Sequence, residues 1–391
     1  MYVSGLTDVL VFLHIQKTGG SHFGGNLVTN LNITPPCICP NTGPKVGACS
    51  CITSNKKKWL FSRYSTGWPC GVHADWTELQ NCVGKEMDRL EGLHRKRRLH
   101  YITILRDPVK RYISEWKEVQ RKEMTWPSLL FCDGRKASSK EVPSCYTGQK
   151  WKKLIFENFI GCKSNLAINR QTRMLANLSL VNCYNSTGMT SKERQTKILK
   201  SALENLKNMA FFGLTEYQLE TQLLFEMTFD IRFKHLFEQH TNTYAENAIY
   251  SLTEAQISKI KQLNDLDIKL YEFAKKFFFE RMIHHTTGYN MFHDFTEYAG
   301  VEDAAGCKFK FPTDWSSRGS NELDVSSDDK SNIDDEKFGI PHCMQCQDKF
   351  NESKHLKFRD GMPWQFAWYQ MLHVSQQIAF WLQKDLVRKD Q

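Results

Sequence analysis

Two short stretches of the chain carry residue types that handle anions. The first, "HIQKTGGSH" at positions 14–22, follows the apolar run "VLVFL" and opens into an amphipathic segment. A strand that turns into a helix aims backbone N–H groups and the positive helix end at one spot, which suits a phosphate. Lys17 adds a mobile point charge and Thr18 and Ser21 add hydroxyls, while Gly19 and Gly20 let the backbone approach a ligand closely. The spacing is neither G-x-x-x-x-G-K-[ST] nor G-x-G-x-x-G. Taken alone, the turn fits an unliganded strand-to-helix connection equally well. The second stretch, "YITILRDPVKRYISEW" at 101–116, is again strand, turn and helix, with Arg106 at the strand end and Ser114 two turns into the helix. One turn with Lys and another with Arg and Ser suit a ligand bearing two phosphate groups. The competing reading pairs Arg106 with Asp107 or another nearby acid.

A third segment, "KWLFSRYSTGWPCGVHADWTEL" (58–79), mixes aromatic, basic and His residues and reads as a site segment, not a regular element. His73 suits proton transfer near neutral pH, with Asp75 and Glu78 as fallback bases. The residues alone do not rank the three. In the tail, Cys343-x-x-Cys346 beside His342 invites a zinc or redox reading, but Cys307 is remote and no second pair lies near. A local disulfide or free thiols remain the alternatives.

These residues need elements to position them. Residues 8–15 read as a buried strand, Gly20 to about Leu31 as a helix and Pro35–Cys51 as a cysteine-clamped loop. The basic run "HRKRR" (94–98) precedes a strand at 99–105, and Asp107-Pro108 opens a helix to about Arg121. Residues 126–163 look irregular. Helical patterns follow near 164–176 and 190–208, then a strand at 209–214 and a helix from Thr215, whose Thr-Glu-Tyr-Gln start resembles a capping box. Thr253 to about Met282 reads as one long helix. Strands alternating with helices predict an α/β fold with a central parallel sheet flanked by helices. Residues 312–338 are rich in Ser, Asp, Asn and Lys and read as linker. After it, Trp364, Trp368, Met371, Leu372, Ile378, Trp381 and Leu382 fall at near-helical spacing. The organisation expected is a domain over 1–288, an acidic and polar linker over 289–338, and an extension over 339–391 with an amphipathic aromatic helix.

Composition narrows the class. The chain has 391 residues, 41% of them hydrophobic, which is long enough for one large core. Residues 1–290 hold 40 Lys/Arg against 26 Asp/Glu, and residues 291–391 hold 12 against 17. A basic body suits a polyanionic partner or is simply a solvated surface. Ten of the 13 cysteines lie between Cys37 and Cys183. Their even number and loop surroundings suit disulfides and a secretory compartment; the Cys-x-Cys pairs leave zinc as an alternative. Sequons at Asn32, Asn177, Asn185 and Asn351 agree with secretion. Neither a signal peptide nor an apolar run long enough to span a bilayer is legible, so any targeting segment is expected to be missing from this sequence.

The segments "FLHIQKTGGSHF", "WLFSRYSTGWPCGVHADWTEL", "YITILRDPVKRYISEW" and "MAFFGLTEYQ" resemble, in order and spacing, the signatures of the heparan sulfate 6-O-sulfotransferases. The resemblance covers roughly residues 9–283. It implies a P-loop-like sulfotransferase fold with 3′-phosphoadenosine 5′-phosphosulfate (PAPS) as sulfate donor and no metal. It implies that His14, Ile15, Gln16, Lys17, Thr18, Gly19, Gly20, Ser21 and His22 hold the 5′-phosphosulfate and that Arg106 and Ser114 hold the 3′-phosphate. His73 falls at the catalytic base position, and Arg63, Trp68 and Trp126 at positions that contact the sugar chain. Lys17 would stabilise charge on the leaving phosphate oxygen.

The chain also departs from that pattern. Glu118 stands where the family has a polysaccharide-contacting His, and Gly47-Ala48 replaces a basic pair. In "EQHTNTYAEN", Gln239 and His240 remain as nucleotide contacts, but Tyr244 replaces an Arg. Lys56, Lys57 and Lys58 with Arg63 offer other anion contacts. The expected activity is sulfate transfer to glucosamine 6-hydroxyls of heparan sulfate, with no nucleic-acid partner. The family implies a type II Golgi protein whose membrane anchor is absent from this chain. The alternatives are another carbohydrate acceptor, or a catalytically weak heparan-sulfate-binding homologue.

Overall fold

A computed structural model describes residues 8–40, 48–122, 130–145, 154–239, 248–250 and 252–288. The chain opens with strand β1 (Asp8–Leu13) and helix α1 (Gly20–Thr29), followed by β2 (Leu60–Phe61), the short α2 (Arg63–Thr66) and α3 (Trp76–Glu91). Then come β3 (Arg98–Leu105), α4 (Pro108–Lys122), the hairpin strands β4 (Phe131–Cys132) and β5 (Arg135–Lys136), α5 (Phe156–Gly161) and α6 (Arg170–Leu175). A 3₁₀ turn (Leu178–Val181) leads to α7 (Ser191–Asn208), β6 (Phe211–Leu214), α8 (Gln218–Phe229), α9 (Glu254–Leu263) and α10 (Asp265–Gly288).

The four-stranded sheet runs β2-β1-β3-β6, all parallel, with Leu10 opposite Leu60, Leu13 opposite Thr103 and Leu105 opposite Leu214. Every residue of β1 is buried, as a central parallel strand covered on both faces requires. The chain leaves β1 toward β2 on one side and β3 on the other. The crevice beyond their carboxyl ends is therefore the topological switch point, where open α/β sheets bind ligands. Phe23 on α1 packs on Phe211 of β6 and Phe225 of α8, and this aromatic core fixes α1 against the sheet. A second cluster, including Tyr112, Ile113 and Trp116, seats α4 against α5 and α9.

Several expected elements form differently, and residues 126–163, expected to be irregular, hold β4, β5 and α5. Residues 58–79 are not irregular throughout, since they hold β2, α2 and the start of α3. The helix expected at 164–176 is confined to α6, because Asn165 turns its side chain to Phe159 O and Ala167 N, and Asn169 adopts a left-handed conformation. The long helix expected from Thr253 breaks at buried Asn264. Its amide donates to Ile260 O and its Oδ1 accepts from Asn169 N, competing with the helical pattern. Thr253 with Gln256 does form a capping box at the start of α9. The capping box expected at Thr215 is absent: α8 begins after Tyr217, and Thr215 bonds elsewhere.

The ten clustered cysteines form five disulfides: Cys37–Cys51, Cys39–Cys49, Cys70–Cys82, Cys132–Cys183 and Cys145–Cys162. The Cys-x-Cys pairs thus hold each other, not zinc. No described helix is long and apolar enough to cross a membrane. The tail cysteines, the linker over 289–338 and the aromatic helix expected in the tail lie outside the described residues.

Candidate functional site

The connection between β1 and α1 is held from three sides. Thr18 Oγ1 donates to Ile15 O at 3.0 Å, and Thr215 Oγ1, at the end of β6, donates to Thr18 O at 2.6 Å. Thr215 also lies 2.9 Å from Leu105 O, so one hydroxyl ties the turn to the carboxyl end of β3. Lys17 and Gly19 both have positive φ (68° and 77°), which folds the backbone around Thr18 into a concavity of the kind that gathers N–H groups. A Cβ on Gly20 would stand 2.4 Å from His14 Cδ2, so only glycine fits there. Among the described residues no side chain caps α1, and a helix start of this kind suits an anion.

Arg106 arrives at the same place from β3. Its Nη1 donates to Lys17 O at 3.2 Å, and its backbone is gripped by buried Gln171, which accepts from Arg106 N and donates to Arg106 O, each at 2.9 Å. Gln171 N and Thr172 N donate in turn to Asp267 on α10. Asp107 accepts from Lys110 N at 2.8 Å and so caps α4. Behind it, Glu115 joins Arg111 and Arg170 in a buried ion network that Asp267 completes. Ser114 lies one turn before Glu118 on the same face of α4. Glu118 Oε2 is 3.2 Å from Lys17 Nζ, so that face meets the β1–α1 turn.

His73 sits in the loop that Cys70–Cys82 fastens to α3. Its Nδ1 is 2.9 Å from His14 O. A carbonyl can only accept, so Nδ1 carries the proton and Nε2 keeps the lone pair. The His73 ring lies 4.8 Å from both His14 and Trp68, and Trp68 stacks on His14 at 5.8 Å. Arg63 lies 5.9 Å over Trp68 and donates to Ser21 Oγ at 3.4 Å. His14, Arg63, Trp68, Gly71 and Ala74 line a shallow cleft beside this cluster.

Burial drives the His73 pKa down to about 4, helped by the charges of Arg170 and Arg63 and opposed by the bond to His14 and by Glu115. Burial also holds His14 well below the usual imidazole range, with His73 and Arg63 adding to the shift. Both rings are therefore neutral at pH 7. Asp75 is buried and pushed up to about 7 by that burial; its carboxylate accepts from Glu78 N and caps α3. Burial also raises Glu78. Asp75 thus serves the α3 terminus, and the Glu78 carboxyl meets the backbone of Asp133 and Gly134 in the β4–β5 turn.

The structure brings together Lys17, Thr18, Gly19, Gly20, Ser21, Arg63, Trp68, His73 and Arg106 at the carboxyl ends of β1 and β3. His22 faces Asn26 and Phe237 along α1. Gln239 bonds the start of α8 through Gln218 N and Thr215 O. Trp126, His240 and Tyr244 lie outside the described residues. Within the "HRKRR" run, Asp88 and Glu91 bind Arg97, Glu91 binds Arg95, and Asp8 binds Arg98. The Arg97 and His94 bonds hold Asp88 down to about 2. Burial opposes the same shift in Glu91, which Arg95 and Arg97 bring to about 2. Lys56 and Lys57 turn a tight loop at Thr53. The group Cys132, Asp133 and Cys183 could resemble a metal site, but its sulfurs are joined in a disulfide and offer no thiolate.

Sequence reading missed Gln171, Thr215 and the Lys17–Glu118 pair as parts of this site. Each acts through a partner at least 65 residues away, and no local spacing signals it.

A sulfotransferase family model matches residues 3–274. Heparan-sulfate 6-O-sulfotransferase 3-B of Danio rerio is 54% identical over 275 residues, which is 70% of this chain and 64% of that protein. Heparan-sulfate 6-O-sulfotransferase 3 of Homo sapiens is 52% identical over 71% of this chain and 59% of its own length. Heparan-sulfate 6-O-sulfotransferase 1 of Cricetulus griseus is 50% identical over 70% and 68% respectively. The chain spans less than two thirds of the length of the first two.

Proposed function

The chain belongs to the sulfotransferase family, among its heparan-sulfate 6-O-sulfotransferases, and we propose that it transfers sulfate from PAPS to the 6-hydroxyl of glucosamine in heparan sulfate. The observation that carries this reading is the meeting of the β1–α1 turn, Arg106 and the His73 loop at the switch point of the sheet. The donor set fits PAPS: a glycine-lined helix start with Lys17 suits the 5′-phosphosulfate, and Arg106 with Ser114 suits the 3′-phosphate. Bound there, PAPS would supply the sulfuryl group and a bisphosphate leaving group.

The remaining chemistry belongs to the chain. A sugar hydroxyl is a poor nucleophile at neutral pH, and His73, neutral and with its lone pair on Nε2, takes the proton as the oxygen attacks sulfur. Lys17 offsets negative charge that develops on the departing phosphate oxygen. Trp68 offers an apolar face and Arg63 a cation to a sulfated sugar chain, on the side of the cleft next to His73. No step requires a metal. Residues 1–288 form the catalytic unit in this reading. The five disulfides support an oxidising compartment, and a Golgi-lumenal location with anchorage through an N-terminal segment goes with it.

The test is an acceptor panel. Radiolabelled sulfate from PAPS should appear on glucosamine O6 of 6-O-desulfated heparan sulfate and not on chondroitin sulfate. Labelling of another carbohydrate alone would replace the acceptor and keep the chemistry.

A further inference from the structure

Within residues 14–22 Lys17 is the one Lys or Arg, so the side-chain charge on the β1–α1 turn resides there. That charge is already engaged. Lys17 Nζ lies 3.2 Å from Glu118 Oε2, with the two side chains 27% and 14% exposed. The contact joins positions 101 residues apart. Both ends are fixed by other bonds. Arg106 Nη1 holds the Lys17 carbonyl, and buried Trp116 and Val119 seat α4 on either side of Glu118.

We infer that Glu118 is an affinity-determining residue for the donor nucleotide, an internal counter-ion that holds Lys17 in the empty site and yields it to the incoming phosphate. The inference rests on the reading of Lys17 as a donor ligand. An ammonium paired to a carboxylate at this distance must be released before it can face a phosphate oxygen, and that release costs binding free energy. The same acid recaptures Lys17 when the bisphosphate product leaves, so the exchange favours product release as well as limiting affinity. Glutamine at this position keeps the shape and removes the competing charge.

The competition has a signature that a simple local field lacks. A field from Glu118 would repel the nucleotide whether or not Lys17 is present; a competition for Lys17 requires Lys17. The experiment is calorimetric titration of 3′-phosphoadenosine 5′-phosphate into the full chain, as wild type, Glu118→Gln, Lys17→Met and the double variant, with thermal melts verifying that each is folded. Glu118→Gln should tighten binding about tenfold, equivalent to about 1.4 kcal/mol, and slow nucleotide dissociation. In the Lys17→Met background the same substitution should change affinity by less than about twofold. An unchanged or weaker affinity in Glu118→Gln overturns the inference, and so does an equal gain in both backgrounds. If folded wild type fails to bind the nucleotide, the donor reading of the site falls, and the inference with it.

Discussion

His73 donates its Nδ1 proton to the carbonyl oxygen of His14 across 2.9 Å, and that bond decides which nitrogen can act as a base. The carbonyl belongs to the first residue after β1, so the strand that leads into the Lys17 turn also sets the tautomer of the proposed base. His73 holds a φ of 57°, a left-handed conformation that Asn tolerates better than Ala, which makes His73→Asn the cleaner substitution.

The depressed pKa of His73 gives the pH profile a sign. A base works when deprotonated, and burial places His73, the proposed base, at about 4. Transfer at saturating donor should stay level from pH 8 to about 5 and fall through a limb near 4, measured as initial rate against pH. A limb near 6.5, the ordinary imidazole value, would contradict the assignment. The same shift contributes stability above the unfolded-state pKa of about 6.5 that is lost as pH falls toward 4.

Gly20→Ala should disturb His14 and the anion turn together. The added Cβ would meet the His14 ring at 2.4 Å, whereas a Cβ on Gly25 of the same helix meets nothing within 4 Å. Gly20→Ala is expected to cost about 1–3 kcal/mol in urea unfolding and to weaken nucleotide binding at least about tenfold. Gly25→Ala should be neutral or stabilising by up to about 1 kcal/mol. Equal effects at both positions would contradict the close-approach account.

Gln171→Ala removes both bonds to the Arg106 backbone and leaves a buried N–H and C=O to find other partners. We expect a loss of about 2–4 kcal/mol in unfolding free energy. Nucleotide affinity should fall by more than the stability loss explains, because Arg106 is no longer aimed. Calorimetry well below the melting temperature separates the two effects.

Asp75 provides a second pH test, of the opposite sign. Burial raises its pKa to about 7, so the fold favours the neutral acid and stability from this group is lost as pH rises through 7. Asn caps a helix as well as Asp does. Asp75→Asn should therefore raise stability at pH 8 by a few kcal/mol, on the order of the shift, and change it little at pH 4. Melts of both proteins at the two pH values read this directly.

The parts of the site that were legible share one property: they are local. The buried run of β1, the Lys17 turn and the Arg106 turn announce themselves within a dozen residues, because a covered strand must be apolar and an anion turn must supply N–H groups. The parts that escaped depend on distant partners. Thr215 reads as a helix cap, yet its hydroxyl is drawn to Thr18 O and Leu105 O. Asn264 sits inside a helical pattern and breaks it, because Asn169 offers its side chain a better bond. The basic run at 94–98 shows no partner in the local sequence, yet the fold sets Asp8, Asp88 and Glu91 against it. The disulfide pairs were beyond reach for the same reason, since spacing alone does not choose among the connectivities of ten cysteines.

Proton transfer from the attacking sugar hydroxyl to His73, as proposed, is read out by a single substitution. Radiolabelled sulfate transfer from PAPS to N-sulfated, 6-O-desulfated heparan sulfate is measured for wild type and His73→Asn, with disaccharide analysis and nucleotide binding on the same preparations. Label should appear on glucosamine O6 with wild type, and transfer should fall at least about 100-fold in His73→Asn at unchanged nucleotide affinity. Transfer by His73→Asn within a few-fold of wild type would contradict proton transfer to His73.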